Sequence, residues 1–388
     1  MNNEIIRPSE KKSCWLFCNV IDNFGDIGVS WRLAQALYHE LEWQVHLWVD
    51  DVAALQAICP DLPAVPCVHQ NISVHEWTAQ SANDVTTLPP PHIVIETFAC
   101  DLPINVSTII QQYRPLWLNW EYLSAEDSNE RLHLLPSVQA NGVQKFFWFM
   151  GFSEKSGGLI READFCQRID FDANLFRRHY GLPAKAAEEW LLFGYRSPVW
   201  AKWLEMWQQH DQPITLLLAG HQIIDSLKAA QAIPQNALKH AGDTFQTACV
   251  TLVSIPFVPQ QDFDKLLQLS DGLMIRGEDS FVRAQLAANP FFWHIYPQDE
   301  MVHLEKLHAF WQKTAPFYPP HLMTAHQALS DELNGAHELS AEQRLHAWQT
   351  LATHRQEWQQ SVADWQKFLF SQASALEKLA KFVSNTLK

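Results

Sequence analysis

Asp22 and Asp26 stand four residues apart in Asn19-Val20-Ile21-Asp22-Asn23-Phe24-Gly25-Asp26-Ile27-Gly28, directly after an apolar run of strand length. They flank Gly25, and Gly28 opens the helix-period segment that follows, so acidic groups stand where backbone can approach a ligand closely. The same residue types also make turns and cap helices, and spacing alone leaves both readings open. With only Gly25 and Gly28, the segment lacks the G-x-G-x-x-G of a dinucleotide site, which weighs against an NAD-linked oxidoreductase.

A second constellation is Gly272-Leu273-Met274-Ile275-Arg276-Gly277-Glu278-Asp279-Ser280-Phe281. An apolar strand ends in Arg-Gly-Glu-Asp-Ser, and a helix over 281–288 is expected at once, with Ser280 as its cap. The free N–H groups of a helix start form an anion site, and the Arg276 guanidinium offers a fork for phosphate oxygens. A cap with a local Arg–Glu ion pair is the alternative; glycine, arginine and helix start together favour a diphosphate. Phe257 and Gln260, in IPFVPQ, suit stacking on a base and bonding to its edge. Tyr195, in FGYRSP, has a hydroxyl able to reach phosphate.

Other chemistries leave no trace. There is no P-loop, no HExxH and no G-x-S-x-G elbow. The 18 His are scattered and their spacing asks for no metal. The seven Cys include no CxxC pair, so free thiols in a reducing cytosol are expected rather than zinc knuckles or disulfides.

The elements that must position these residues alternate in kind. Apolar runs of strand length cover 13–20, 44–49, 92–98, 115–119 and 145–150, and after an irregular stretch resume at 190–195, 214–219, 249–255, 272–275 and 291–295. Helix-period segments lie between them, at 30–41, 198–210, 222–231, 261–269 and 280–288, and Asp50 or Asp51 is placed to cap a helix starting near Val52. Strands alternating with helices predict α/β units with parallel sheets covered on both faces, and in such units ligands bind beyond the carboxyl ends of strands. From Ser340 onward the pattern is amphipathic helix.

With 388 residues the chain exceeds the roughly 250–300 at which single cores stop growing, so two domains are expected. The boundary is placed at the irregular stretch, giving units 1–182 and 183–361. Seventeen Trp and 22 Phe predict heavily aromatic cores. A net charge of −15 argues against a nucleic-acid footprint and suits a basic protein partner. No apolar stretch near the N-terminus is long enough for a signal or a membrane span, so a cytoplasmic protein is expected.

The motifs CNVIDNFGDIGVSWRLAQAL (18–37), NWEYLSAED (119–127), GFSEKSGGLIRE (151–162), LLFGY (191–195), PFVPQ (256–260) and RGEDSF (276–281) resemble those of the elongation factor P arginine rhamnosyltransferases, the EarP family. The resemblance implies a GT-B glycosyltransferase architecture: two facing Rossmann-like lobes with an active-site cleft between them, a C-terminal helix of about 362–388 packing back on the first. It implies dTDP-β-L-rhamnose as co-substrate, no cofactor or metal, inversion at the sugar, and elongation factor P as the protein acceptor, with neither nucleic acid nor membrane as a direct partner. Matched by motif, Asp22 resembles the general base, Asp26 a second essential carboxylate and Glu278 the other catalytic acidic residue. Tyr195, Gln260, Arg276, Gly277, Asp279 and Ser280 resemble the donor site, with Phe257 stacking on thymine, Phe193 contacting the donor, and Asn19, Val20 and Ile21 lining the sugar. The other readings are a nucleotide-sugar enzyme with a small acceptor, an epimerase, or a non-catalytic nucleotide-sugar binder.

Overall fold

The computed structural model describes residues 11–21, 24–78 and 85–387. They form two compact units: the first takes the described residues up to Leu123, with Asp127–Ala163 and the stretch from Ala373, and the second takes Ser124–Glu126 and Asp164–Gln372.

Unit 1 is built on one sheet. Its described strands are β1 (Ser13–Cys18), β2 (Gln44–Val49), β3 (Cys67–His69), β4 (Ile72–Glu76), β5 (Ile93–Thr97), β6 (Leu116–Glu121), β7 (Pro136–Val138) and β8 (Gln144–Phe149), in the spatial order β3-β4-β2-β1-β5-β6-β8-β7. Unit 2 carries β9 (Glu188–Leu192), β10 (Ile214–Ala219), β11 (Thr244–Thr247), β12 (Val250–Ile255), β13 (Gly272–Arg276) and β14 (Phe291–His294), in the order β11-β12-β10-β9-β13-β14. The apolar runs expected from sequence become the parallel strands, because strands buried on both faces need near-continuous apolar sequence. Trp15, Leu16, Phe17 and Cys18 are all buried, as is every residue of β5.

The sheets are not wholly parallel. β3 pairs antiparallel with β4, β7 with β8 and β11 with β12. These short pieces sit at sheet edges, where pairing with one neighbour replaces the apolar alternation a sequence pattern would show.

In each sheet the strand order reverses once. β1 lies between β2 and β5, and β9 lies between β10 and β13. At such a switch point the connections leave in opposite directions and open a crevice beyond the carboxyl ends. The segment after β1 begins at Asn19, and the segments after β9 and β13 hold Phe193–Tyr195 and Gly277–Ser280, so topology puts both constellations at switch points.

The unit boundary falls at Ala163/Asp164, earlier than the 182 expected, because Phe165 already packs against Phe370 in unit 2. At the other end, helix Arg355–Ser371 stays in unit 2 with Trp358 and Trp365 buried, and only helix Ala375–Thr386 belongs to unit 1. Ala375 N–H donates to Leu159 O at 2.9 Å, and Lys378 Nζ donates to the carbonyls of Ser153 and Ser156 at 2.9 and 2.8 Å. Gly158 has φ +75°, and a Cβ there would meet the carbonyl of Ala373 at 3.0 Å, so the second glycine of the Gly157–Gly158 pair lets the returning chain lie close.

The aromatic load is core. In unit 2 Trp190 packs on Trp348 and Trp358 at 5.1 and 5.9 Å between ring centroids, and Trp203 on Trp207 at 5.7 Å. Truncating one such ring to alanine costs about 3–5 kcal/mol. Gly272 exists to admit this cluster: a Cβ there would lie 2.5 Å from the Trp190 ring.

Candidate active site

In unit 2 the site is assembled around Arg276. Phe193 N–H donates to Met274 O at 2.7 Å, which locks the end of β9 beside β13. The Arg276 guanidinium consequently lies 4.5 Å over the Phe193 ring and 4.8 Å over the Tyr195 ring. Two aromatic faces hold the planar fork by cation–π attraction and restrict its rotamers. Between them Gly194 is obligatory, since a Cβ there would stand 2.4 Å from Trp200 and 3.1 Å from His294 Nδ1.

The chain turns out of β13 through Gly277, whose φ of +71° lies in the left-handed region. Helix Asp279–Ala287 starts immediately, with Glu278 at its N-cap position and no side-chain cap. Ser280 is therefore inside the first turn and is not the cap expected from sequence; the helix begins two residues earlier because Glu278 O already accepts from Val282 N at 3.0 Å. The N–H groups of a helix start suit an anion, and this one lies directly after Arg276 in the chain. Gln260, first residue of helix Gln260–Leu269, donates through Nε2 to Asp279 Oδ2 at 3.0 Å. The same two helices are tied deeper by Arg283 and Asp264, a buried bidentate pair at 2.7 and 2.6 Å. Phe257, just after β12, keeps an exposed ring at 53% accessibility, which leaves a face for stacking.

Glu278 forms an ion pair with Lys306 at 2.6 Å. Lys306 lies 28 residues away in sequence, and no local pattern announces it. His294 is a second residue missed by sequence reasoning: Tyr195 N–H donates to its Nδ1 at 3.2 Å, fixing the loop that carries Tyr195. Burial first, then the positive charge of Arg276 and the neighbouring His303, push the His294 pKa down to about 3. Its folded value lies below the unfolded ~6.5, so the stability it contributes is present above pH ~6.5 and is lost as pH falls toward the folded value. Replacing His294 by Asn should flatten the fall of unfolding free energy between pH 6.5 and 4 by about 1.4 kcal/mol per pH unit, one proton's worth. Urea titrations across that range measure it; an unchanged slope would count against a neutral buried imidazole.

In unit 1 the residues after β1 are held by two carboxylates. Asp50, directly after β2, accepts from Asn19 Nδ2 and from Val20 N–H, the latter at 2.8 Å. Asp51 alone caps the following helix, accepting from Ala54 N at 2.9 Å. Asp26 is buried in the first turn of helix Gly25–Leu41, which starts at Gly25 rather than opening at Gly28. Its Oδ2 accepts from Ile21 N–H at 2.8 Å and its Oδ1 from the Tyr122 hydroxyl at 3.2 Å. It therefore bonds backward across its own loop. The N-cap position belongs to Phe24, without a side-chain cap bond.

Tyr122 stacks on Phe98 at 4.1 Å, and Phe98 sits at φ +58° with Ala99 at +54°. Ala99 N–H donates to Asn119 Oδ1 at 2.9 Å, and Asn119 Nδ2 donates to Glu121 Oε1 at 2.5 Å. Burial raises the Glu121 pKa, with the Glu96 charge adding to it. A polar, acidic cluster thus lines the carboxyl ends of β1, β5 and β6. Asp22 lies outside the described residues, as does Asn23. Ile21, next to Asp22 in sequence, is 74% exposed.

Asn19, Val20, Ile21 and Asp26 cluster in unit 1; Phe193, Tyr195, Gln260, Arg276, Gly277, Glu278, Asp279 and Ser280 lie around the β9 and β13 ends of unit 2, with Phe257 on the loop leading to Gln260. Among the described residues, no helix is long and apolar enough to cross a membrane.

Comparison with known proteins gives this geometry a family. The family model described as Elongation-Factor P (EF-P) rhamnosyltransferase EarP matches residues 14–384. A protein-arginine rhamnosyltransferase of Neisseria meningitidis serogroup B is 67% identical over 375 residues, covering 97% of this chain and 98% of that protein. One from Pseudomonas aeruginosa is 37% identical over 361 residues, covering 90% and 93%. A solved structure of EarP, described as the structural basis for arginine glycosylation of translation elongation factor EF-P, matches with a TM-score of 0.66 at 28% identity, covering 97% of this chain and 99% of that one. Acinetobacter baumannii MurG, at 12% identity and a TM-score of 0.52 over 92% of this chain and 95% of its own, shares the fold. The fold class is that of the GT-B glycosyltransferases, and the chain belongs to the EarP family of elongation factor P rhamnosyltransferases.

Proposed function

We propose that this chain transfers L-rhamnose from dTDP-β-L-rhamnose to one arginine side chain of translation elongation factor P, with inversion at the anomeric carbon and without a metal. The observation that carries the reading is the Arg276 guanidinium stacked on Phe193 and Tyr195 beside the start of helix Asp279–Ala287. A diphosphate is the ligand this suits: a fixed fork and a helix N-terminus both favour multiple negative oxygens.

Unit 2 is then the donor unit. Arg276, Ser280 and the first-turn N–H groups take the diphosphate, Gly277 keeps the backbone clear of it, and Gln260, oriented by Asp279, reads the base edge against Phe257. Unit 1 is the acceptor unit, with Asn19, Val20 and Ile21 toward the sugar and the Glu121–Tyr122 segment toward the protein acceptor.

Arginine is a poor nucleophile because its charge is delocalised and its pKa exceeds ~12. Full deprotonation before attack is thus ruled out at neutral pH. Carboxylates gripping the guanidinium hold one nitrogen near the anomeric carbon. As the new C–N bond forms, the C–O bond to the β-phosphate breaks and dTDP leaves with the electron pair. The nitrogen's proton passes to Asp22 as general base. Charge growing on the departing phosphate is met by Arg276 and the helix start. Asp26, bridging Ile21 and Tyr122, fits the part of positioning this loop, and Glu278, held by Lys306, stands beside the diphosphate residues as the remaining acidic group.

Mass spectrometry of elongation factor P incubated with this protein and dTDP-rhamnose tests the proposal. One arginine should gain a deoxyhexose. Asp22→Asn should bind dTDP-rhamnose with unchanged affinity yet lose at least about 10²-fold in turnover, the size of a general base's contribution. A folded, donor-binding protein that leaves the factor unmodified would refute the assignment, and a variant as active as the parent would remove Asp22 from the mechanism.

A further inference from the structure

The three side chains Cys59, Asp61 and His69 converge at the far edge of unit 1. Cys59 Sγ lies 3.3 Å from His69 Nε2 and 3.3 Å from Asp61 Oδ1, and His69 Nε2 lies 3.5 Å from Asp61 Oδ2. A tetrahedral zinc with S at ~2.3 Å and N or O at ~2.0–2.1 Å needs S···N and S···O separations of about 3.5 Å and N···O of about 3.3 Å. The observed separations fall within about 0.3 Å of those values, with Asp61 turning Oδ1 to the thiol and Oδ2 to the imidazole, so the three side chains stand within reach of one ion.

The backbone holds them there independently of one another. Cys59 closes helix Val52–Ile58, and Leu62 N–H donates to Cys59 O at 3.0 Å, forming a turn that presents Asp61. Pro60, Pro63 and Pro66 limit the φ freedom of the loop that follows. His69 ends β3, where Gln70 and Asn71 at φ +47° and +64° make the two-residue turn into β4. Trp31, on helix Gly25–Leu41, stacks on the His69 imidazole at 6.0 Å and 19°, and Gln35 Nε2 donates to Gln70 Oε1 at 2.6 Å. This packing restricts the plane of the imidazole ring. Cys59 is buried while the Asp61 side chain is 60% exposed, so an ion reaches a shielded thiol past an open carboxylate.

We propose that unit 1 binds one zinc ion through Cys59 Sγ, the Asp61 carboxylate and His69 Nε2, with water in the fourth position. A thiolate, an imidazole and a carboxylate select a borderline-soft divalent ion over magnesium or calcium. The ion has a structural part: it pins the Cys59–His69 loop and the β3–β4 hairpin, which Trp31 and Gln35 also tie to helix Gly25–Leu41. It takes no part in sugar transfer. His69 pairs with Ile72, the first residue of β4, and β4 runs parallel to β2 and so to β1, which places the site at the amino ends of the strands whose carboxyl ends carry Asn19 and Asp26.

Cobalt(II) added to the full-length, metal-stripped protein under reducing conditions tests this. One equivalent should give a thiolate-to-cobalt charge-transfer band with the intense d–d absorption of a tetrahedral site. Zinc should abolish the band by displacement and raise the melting temperature, and a chelator should reverse that rise. Asp61→Asn, an exposed change expected to leave folding intact, should weaken zinc binding by at least about tenfold. Cys59→Ser should remove the band, and Cys166→Ser, at an exposed thiol elsewhere, should retain it. Absence of a band in the parent, or one that survives Cys59→Ser or is unmoved by Asp61→Asn, would overturn the site. A band that disappears in Cys166→Ser would do the same.

Discussion

Arg276→Ala should cost about 10²–10³-fold in kcat/KM for dTDP-rhamnose, the loss seen when a charge-stabilising donor is removed from a transition state. The guanidinium lies 4.5 Å over Phe193 and 4.8 Å over Tyr195, so its fork is oriented before any anion arrives. Arg276→Lys should restore only a small part of this. An ammonium keeps the charge but loses the planar stack and the paired N–H groups. The defect should also appear in calorimetry as weaker binding of dTDP itself, because the diphosphate is common to donor and product. If dTDP bound the alanine variant as tightly as the parent, the diphosphate would have to be held elsewhere.

Asp26→Asn should behave in the opposite way: donor binding kept, transfer reduced by at least about tenfold. Both Asp26 oxygens are engaged, Oδ2 by Ile21 N–H at 2.8 Å and Oδ1 by Tyr122 at 3.2 Å. The amide can keep its oxygen on Ile21 N–H and turn its NH2 to the Tyr122 hydroxyl, which then accepts, so both contacts persist without the negative charge that strengthens them. The residues that suffer are Ile21 and the Tyr122–Phe98 stack, all in unit 1, whereas the residues proposed for the diphosphate and base belong to unit 2. Tyr122→Phe removes one bond but leaves the carboxylate charge and the Ile21 bond in place, and should give a milder loss, several-fold in kcat. Single-turnover rates beside dTDP-rhamnose affinities separate the two effects. A variant with intact transfer would reduce Asp26 to a dispensable loop contact.

These two predictions rest on features of unequal legibility. RGEDS after an apolar strand was readable as an anion site because strand, glycine and helix start are neighbours in the chain. That Phe193 and Tyr195 lie beneath Arg276 was not, since it depends on β9 and β13 being neighbours across the switch point. The helix start itself moved: Ser280 looked like a cap, but Glu278 takes that position. Asp26 has the residue type of a cap and of a catalytic group alike, and that Tyr122 is one of its partners follows only once the end of β6 is placed beside β1's loop. Lys306 on Glu278 and Asp50 on Asn19 are likewise contacts between distant segments.

By itself the sequence determined the alternation of strands and helices, the presence of two units and the aromatic cores. Burial imposes those patterns on neighbouring residues, so each is written locally: apolar runs for β1, β5 and β10, threefold and fourfold spacing for the helices between them. Tertiary structure alone decided the strand order, the antiparallel edge pieces β3, β7 and β11, the unit boundary at Ala163, and which side chains meet. Those outcomes depend on pairing between segments tens to hundreds of residues apart. The apolar strands of one sheet are interchangeable in pattern, and only their packed order brings Arg276 over two aromatic rings.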